Sequence, residues 1–136
     1  MVKHSIAPSR VRRHPRGFTL IELMVVLTVV ALLLSLAVPR YFNSVHRSKE
    51  SVLRANLVTT RDAIDKYYGD TGRYPDSLDQ LVQGKYLRTL PVDPITESSA
   101  MWIVVPPDRP ERPGAVFDVH SGAAGKARDG SNYGDW

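Results

Sequence analysis

The chain has 136 residues, enough for one small domain, and it has no cysteine, so no disulfide can stabilise it. Its formal net charge of +4 reflects an uneven distribution of basic residues. Five of the 18 lysines and arginines precede residue 18 with no acidic residue among them, which leaves 13 basic against 14 acidic residues in the rest of the chain. Because that remainder has no excess of positive charge, a nucleic-acid-binding surface is not expected.

An apolar segment covers residues 18–38, and Glu22 is its one ionisable residue. Its length matches the roughly 20 residues that a helix needs to cross the hydrocarbon layer of a membrane. The basic residues that precede it predict that residues 1–17 stay in the cytoplasm and that the C-terminal part crosses the membrane. Residues 1–17 contain two prolines and a glycine, so no stable element is expected there.

One long helix is predicted to run from residue 18 to residue 68. Pro39 predicts a kink, because proline removes a helical hydrogen bond and clashes with the preceding turn. Over residues 39–68 a 3.6-residue period of apolar side chains predicts an amphipathic continuation, which Gly69 and the following Asp-Thr-Gly are expected to end. The apolar positions on this face are Val45, Leu53, Leu57, Ile64 and Tyr68.

The remainder, residues 69–136, is predicted to form a small periplasmic α+β region. A short helix that carries Leu78, Leu81 and Val82 is expected, capped by Ser77 or Asp76 and stopped by Gly84. Branched and aromatic residues at 101–105 and 115–120 predict two strands, separated by a proline-rich loop. The predicted fold class is therefore α+β, a long kinked N-terminal helix packed on a small antiparallel sheet of two or three strands.

Residues 16–22, RGFTLIE, are the most informative motif of the chain. They resemble the type IV prepilin signal, which pilins share with the pseudopilins of type II secretion. The likeness comprises the basic leader, Gly17, Phe18 and the glutamate four residues further on. It implies that a membrane-bound prepilin peptidase cuts after Gly17 and methylates the new amino terminus on Phe18.

Glu22 has a physical reason to need a partner, because an acidic residue at the centre of a membrane helix costs about 2.5–3.5 kcal/mol. Removal of the leader would expose a positive amine on Phe18, about one helical turn away. Glu22 could pair with the amine of its own chain or with that of a neighbouring subunit, and the resemblance implies the neighbour. The alternative is that Glu22, with Thr19, serves the start of the helix and lies at the level of the lipid headgroups, favoured by the helix dipole.

Three further motifs, GRYP at 72–75, GKYL at 84–87 and LPVDP at 90–94, are similar to the major pseudopilin of type II secretion. The likeness covers most of residues 12–94. With the missing cysteines and Glu22, it favours the major pseudopilin over a type IV pilin or a minor pseudopilin. It implies a periplasmic homopolymer with other pseudopilins as partners, together with prepilin peptidase and an inner-membrane secretion platform. Turn formation by Tyr-Pro and Asp-Pro explains the same residues locally.

The resemblance weakens beyond residue 94, where the family usually has a Trp-Gly-Asn-Pro-Tyr type of segment and this chain has ITESSAMWIVVPP. In that family the C-terminal loop binds calcium through aspartates and backbone carbonyls. Lys126 and Arg128 lie in the corresponding part of this chain, and an Asp-Gly turn in a solvated loop is the alternative to a Ca²⁺ site. The candidate metal ligands are Asp118, Ser121, Asp129 and Asp135.

Two other classes remain open. Ser35-Leu36-Ala37 could serve signal peptidase and release a secreted binding domain that begins at Val38, although the apolar run exceeds the about 7–15 residues of a signal-peptide core. An uncleaved signal anchor that carries a periplasmic binding domain fits the hydropathy equally well. Enzymatic activity is not expected, because no catalytic or nucleotide-binding motif is present and His120 has no nucleophile on its face of the strand.

Overall fold

The structure is a computed structural model that describes residues 17–136, so the expectation for the first 16 residues of the leader lies outside the described residues. The elements are α1 (Leu20–Thr71), α2 (Leu78–Gln83), β1 (Ile103–Val105), β2 (Asp118–His120) and a 3₁₀ turn (Tyr133–Asp135). This is the predicted α+β class. The chain divides into two compact units, with the boundary between Pro39 and Arg40.

In the first unit, α1 begins at a cap formed by Thr19. The Thr19 hydroxyl oxygen accepts a hydrogen bond from the Glu22 amide at 3.2 Å, and the Thr19 carbonyl accepts one from the Leu23 amide at 3.2 Å. The helix is continuous through Pro39. Because proline has no N–H, the Ser35 carbonyl lacks its usual helical donor. The kink at Pro39 stays a prediction.

In the second unit, one face of α1 forms the centre of the core. Leu53, Leu57 and Ile64 are at most 2% exposed, which confirms the predicted 3.6-residue period at these positions. They belong to one apolar cluster with Leu81 of α2 and Val119 of β2. Burial of each such side chain stabilises the fold by about 1.5–3 kcal/mol. The amphipathic half of α1 therefore supplies the surface on which the rest of the domain packs.

The end of α1 differs from the prediction. The helix passes through Gly69 and continues to Thr71, three residues beyond Tyr68. Gly72 has a φ of 72° and its amide donates to the Tyr68 carbonyl at 2.8 Å, while the Thr71 hydroxyl donates to the Tyr67 carbonyl at 2.7 Å. Gly72 is the residue that terminates α1, because glycine adopts the left-handed conformation without a Cβ clash.

The short helix α2 ends at Gln83, directly before Gly84, which confirms the predicted stop. Ser77 precedes it, but the side chain of Ser77 makes no capping hydrogen bond. Instead, the Gln80 side-chain oxygen accepts a hydrogen bond from the Asp76 amide at 2.8 Å. The start of α2 is therefore stabilised from within its own first turn.

The sheet consists of β1 and β2, which pair antiparallel with Val104 opposite Val119. Each strand has three residues, fewer than the sequence predicted, and no third strand joins them in the described part of the chain.

Arg61 of α1 connects the helix to β2. Its Nε donates a hydrogen bond to Asp118 Oδ1 at 2.7 Å, and its Nη2 donates one to the Val119 carbonyl at 2.9 Å. A charge-assisted pair thus fixes the position of the sheet on the helix.

Asp93, in the LPVDP segment, is the one fully buried carboxylate among the described residues. Its Oδ1 accepts hydrogen bonds from the Ile95 amide at 2.8 Å and the Thr96 amide at 3.3 Å, and its Oδ2 accepts one from the Ser121 hydroxyl. The Ser121 oxygen in turn accepts a hydrogen bond from the Ala123 amide at 3.1 Å. Asp93 therefore forms the local turn that its sequence predicted and also fastens the chain that follows β2.

We expect Asp93→Ala to lower the free energy of unfolding by about 3 kcal/mol, because it leaves several buried donors without an acceptor. Asp93→Asn keeps an oxygen for the turn and should cost less. Denaturant unfolding of the whole chain in detergent measures the difference. Asp108→Ala, in the exposed proline-rich loop, is the control and should stay within about 0.5 kcal/mol of the parent; equal stability of the two alanine variants would contradict the assignment.

Candidate assembly site at the start of the long helix

Gly17 and Phe18 lie outside regular structure, immediately before α1. Phe18 is 84% exposed. A Cβ added at Gly17 would meet no described atom within 4 Å. Packing within the described part of the chain therefore does not require a glycine at this position, and the bond between Gly17 and Phe18 lies in an exposed segment.

Glu22 lies in the first turn of α1, four residues after Phe18. Its backbone amide bonds to Thr19, and its carboxylate makes no ion pair within residues 17–136. The positive end of the helix dipole favours an acidic group here. Gly17, Phe18 and Glu22 lie on a short exposed segment at one end of the helix, and their roles in processing and assembly stay predictions.

Residues 20–38 of α1, which follow this site along the chain, expose apolar side chains on all sides of the helix. Every residue from 20 to 38 is exposed, and the large apolar side chains among them are between 44% and 77% exposed. The most apolar stretch of α1 has a mean hydropathy of 2.7, none of it is buried, and its length and composition suffice to cross a membrane. An exposed apolar surface of this extent is typical of a segment that contacts lipid or other proteins.

The hydroxyl groups in this stretch are satisfied by the helix itself. Thr28 donates to the Met24 carbonyl at 2.8 Å, and Ser35 donates to the Ala31 carbonyl at 2.9 Å. Such internal bonds suit a helix in lipid, where water cannot supply a partner. Neither hydroxyl therefore needs a partner from another molecule.

Asp118 and Ser121, two of the four predicted calcium ligands, are engaged elsewhere. Asp118 Oδ1 accepts the hydrogen bond from Arg61 described above. Ser121 is fully buried and its hydroxyl donates to Asp93. Ser121 is consequently not placed to act as a nucleophile beside His120.

The other two predicted ligands, Asp129 and Asp135, lie in the segment after β2. Asp129 Oδ1 accepts hydrogen bonds from the Ser131 amide at 2.9 Å and the Ser131 hydroxyl at 2.5 Å, and Asp129 Oδ2 accepts one from Arg54 Nη2 at 3.1 Å. These hydrogen bonds from Ser131, with the charge of Arg54, hold the pKa of Asp129 below its usual value. Asp135 Oδ2 accepts a hydrogen bond from Asn132 at 2.9 Å.

The four predicted ligands do not fit a calcium site in this arrangement. Calcium takes about six to eight oxygen ligands around one point. In the part of the chain that the structure describes, no three histidine, cysteine or acidic residues form a group that could hold a metal ion. The calcium site stays a prediction from the sequence.

Sequence reasoning missed the contacts between the C-terminal segment and α1. Glu50 Oε1 accepts hydrogen bonds from the Arg128 amide at 3.0 Å and the Tyr133 hydroxyl at 3.2 Å, and the Arg54 guanidinium lies 3.8 Å from the centre of a Trp136 ring. Burial, and then the hydrogen bond to Glu50, raises the pKa of Tyr133, so this phenol stays neutral. The one local signal was the spacing of Glu50 and Arg54, which places both on one helix face.

The N-terminal site matches a known family model. Residues 12–38 match the prokaryotic N-terminal methylation motif. This region contains Gly17, Phe18 and Glu22, the three residues of the candidate site. The match covers the end of the leader and the apolar half of α1.

Curated relatives extend the similarity to the domain. The chain is 28% identical to type II secretion system core protein G of Aeromonas hydrophila, over 92% of this chain and 94% of that protein. It is 35% identical to core protein G of Klebsiella pneumoniae, over 58% of this chain and 68% of that protein. It is also 34% identical to the type IV major pilin protein PilA of Myxococcus xanthus, over 54% of this chain and 33% of that protein. No solved structure matches the chain at a significant level.

The chain belongs to the type II secretion system core protein G family. The resemblance to the major pseudopilin that the motifs of the sequence indicated is thereby confirmed.

Proposed function

We propose that this chain is a structural subunit of a periplasmic pseudopilus that drives type II protein secretion. The observation that carries the proposal is the fully exposed apolar half of α1, which begins directly after the methylation motif. An apolar helix that its own chain does not cover needs lipid before assembly and other helices after it. The subunit polymerises through this helix, with itself and with other pseudopilins.

The proposed topology is a single pass through the inner membrane, with the leader in the cytoplasm and residues 40–136 in the periplasm. The basic leader supports this orientation, because positive residues next to a span stay on the cytoplasmic side. Prepilin peptidase and the inner-membrane secretion platform are the proposed partners. The role is structural and not catalytic, in keeping with the buried, hydrogen-bonded hydroxyl of Ser121.

Processing prepares the subunit for assembly. Cleavage after Gly17 creates an amine on Phe18, and methylation of that amine leaves it able to carry a positive charge. In a bundle of staggered α1 helices, Glu22 of one subunit pairs with the amine of a neighbour, and this contact fixes the register of the two helices. The free carboxylate of Glu22 in the described structure supports this role, because opposite charges attract strongly where water is excluded.

Mass spectrometry of the protein extracted from membranes should find N-methylphenylalanine, from Phe18, as its first residue. A chain that begins at Val38 would instead show release by signal peptidase, and a chain that retains Met1 would show an uncleaved anchor. Gly17→Leu is the matched control. It should fold normally, because the Cβ position at Gly17 is open, but it should remain unprocessed.

Glu22→Ala and Glu22→Gln should insert and be processed, yet yield at least tenfold fewer filaments. A tenfold shift corresponds to about 1.4 kcal/mol per subunit, a modest value for an ion pair away from water. Electron microscopy and quantification of sheared filaments measure the effect. Ser35→Ala removes a polar group from the same stretch whose hydroxyl is already bonded internally, so it should assemble normally. Normal filament yield from the Glu22 variants would refute the role of this carboxylate.

A further inference from the structure

We propose that residues 121–136 are fastened to α1 by a metal-free ring of side chains, in which Arg54 supplies the positive charge that the sequence led us to expect from calcium. We call Arg54, Asp129, Ser131 and Trp136 the Arg54 ring. This inference concerns the stability of one subunit and does not depend on the proposed function.

The Arg54 ring is closed by four contacts. Arg54 Nη2 donates to Asp129 Oδ2 at 3.1 Å, and the Ser131 hydroxyl donates to Asp129 Oδ1 at 2.5 Å. Trp136 Nε1 donates to the Ser131 oxygen at 2.7 Å, and the indole ring stacks under the Arg54 guanidinium at 3.8 Å. Arginine suits this position because its planar cation can bind a carboxylate and an aromatic face at the same time.

A second anchor lies one helical turn earlier on α1. Glu50 accepts hydrogen bonds from the Arg128 amide and the Tyr133 hydroxyl, so it holds the same segment at a position before Asp129 and at a position after it. Tyr133 is 7% exposed, and its ring packs edge-on against Trp136 with the centroids 5.3 Å apart. The polar ring therefore borders a buried aromatic contact, while the side chains of Arg54 and Asp129 remain 57% and 56% exposed.

The charges around the segment disfavour a second cation. Both oxygens of Asp129 already accept hydrogen bonds, one of them from a guanidinium. The adjacent cavity, of about 390 Å³, is lined by the basic residues His46, Lys49, Lys126 and Arg128 with one acidic residue, Glu50. A divalent ion would have to displace Arg54 from Asp129 and remain near like charges. The chain thus holds its own cation in place of a bound one.

The first test compares the whole chain in detergent with calcium and with EDTA. Calcium is added at several millimolar, above the dissociation constants of about 10⁻⁴–10⁻³ M that weak extracellular sites show. We expect the same melting temperature and the same amide hydrogen exchange over residues 121–136 under both conditions. A higher melting temperature or slower exchange with calcium would overturn the inference.

The second test removes the cation from the ring. Arg54→Gln should lower the melting temperature by roughly 4–8 °C, the range expected for a modest loss of stability in a domain of this size, and should speed exchange over residues 121–136. Arg54→Lys keeps a charge for Asp129 but loses the planar stacking, so its melting temperature should lie between those of the parent chain and Arg54→Gln. Arg47→Gln is the matched control, because Arg47 is an exposed arginine of α1 that makes no ion pair within the described residues.

Trp136→Leu provides an independent variant, since it lies outside α1 and cannot weaken the helix itself. It keeps apolar bulk but removes the Nε1 donor and the aromatic face, so exchange should again increase over residues 121–136. Unchanged exchange in both Arg54→Gln and Trp136→Leu would show that the ring does not hold the segment. These measurements use the unassembled subunit, so a failure of filament formation would leave their outcome unaffected.

Discussion

The domain after Pro39 depends on the buried face of α1. The other regular elements of the described residues are a six-residue helix, two three-residue strands and a three-residue 3₁₀ turn, too little to enclose a core by themselves. Leu53, Leu57 and Ile64 supply the apolar surface that these short elements cover. With no cysteine in the chain, cross-linking cannot compensate for a small core. Long-range polar contacts made by Arg61, Arg54 and Glu50 of the same helix add to this packing.

The apolar half of α1 poses the opposite problem, because no other described residue buries its apolar side chains. Lipid tails are about as apolar as leucine, so transfer of such a helix from lipid into a bundle of like helices gains little from the hydrophobic effect. Close packing and a few polar groups must then decide which helices associate and in what register. Thr28 and Ser35 are satisfied within the helix. Glu22 is the polar side chain of this stretch whose carboxylate makes no ion pair within residues 17–136, which is why the proposed assembly depends on it.

The sequence predicted the long helix and its buried face well, because both follow from local periodicity and hydropathy. It placed the helix end at Gly69, a plausible terminator, although the hydrogen bonds around Thr71 and Gly72 extend the helix by three residues. The two strands are shorter than the β-branched stretches that predicted them, since only Ile103–Val105 and Asp118–His120 find partners. Propensity indicates which residues suit a strand, but pairing decides how many form one.

The role of Asp93 and the contacts of the C-terminal segment could not be predicted in the same way. The Asp-Pro pair indicated a turn, and the turn is present, but nothing local indicated that the second oxygen of Asp93 binds Ser121, 28 residues later. The partners of Glu50 and Arg54 lie 75 to 83 residues away along the chain. The resemblance to the family's calcium-binding loop suggested a set of calcium ligands in the tail, yet the choice between a metal and a side-chain cation depends on which residue of α1 faces the tail. Only the tertiary structure supplies that information.

Attachment of the C-terminal segment to α1 by side chains differs physically from attachment through a metal ion. A metal site can order a loop through ligands that are mostly its own, whereas here the cation and one acceptor reside on α1, at Arg54 and Glu50. These two residues face the tail together only when the intervening turn is helical. In the proposed ring, the order of residues 121–136 is coupled to the helicity of α1 just beyond its apolar half rather than to the concentration of a free ion. Asp93 fixes the beginning of the same segment through Ser121, so both ends of the tail are held by groups that the chain itself carries.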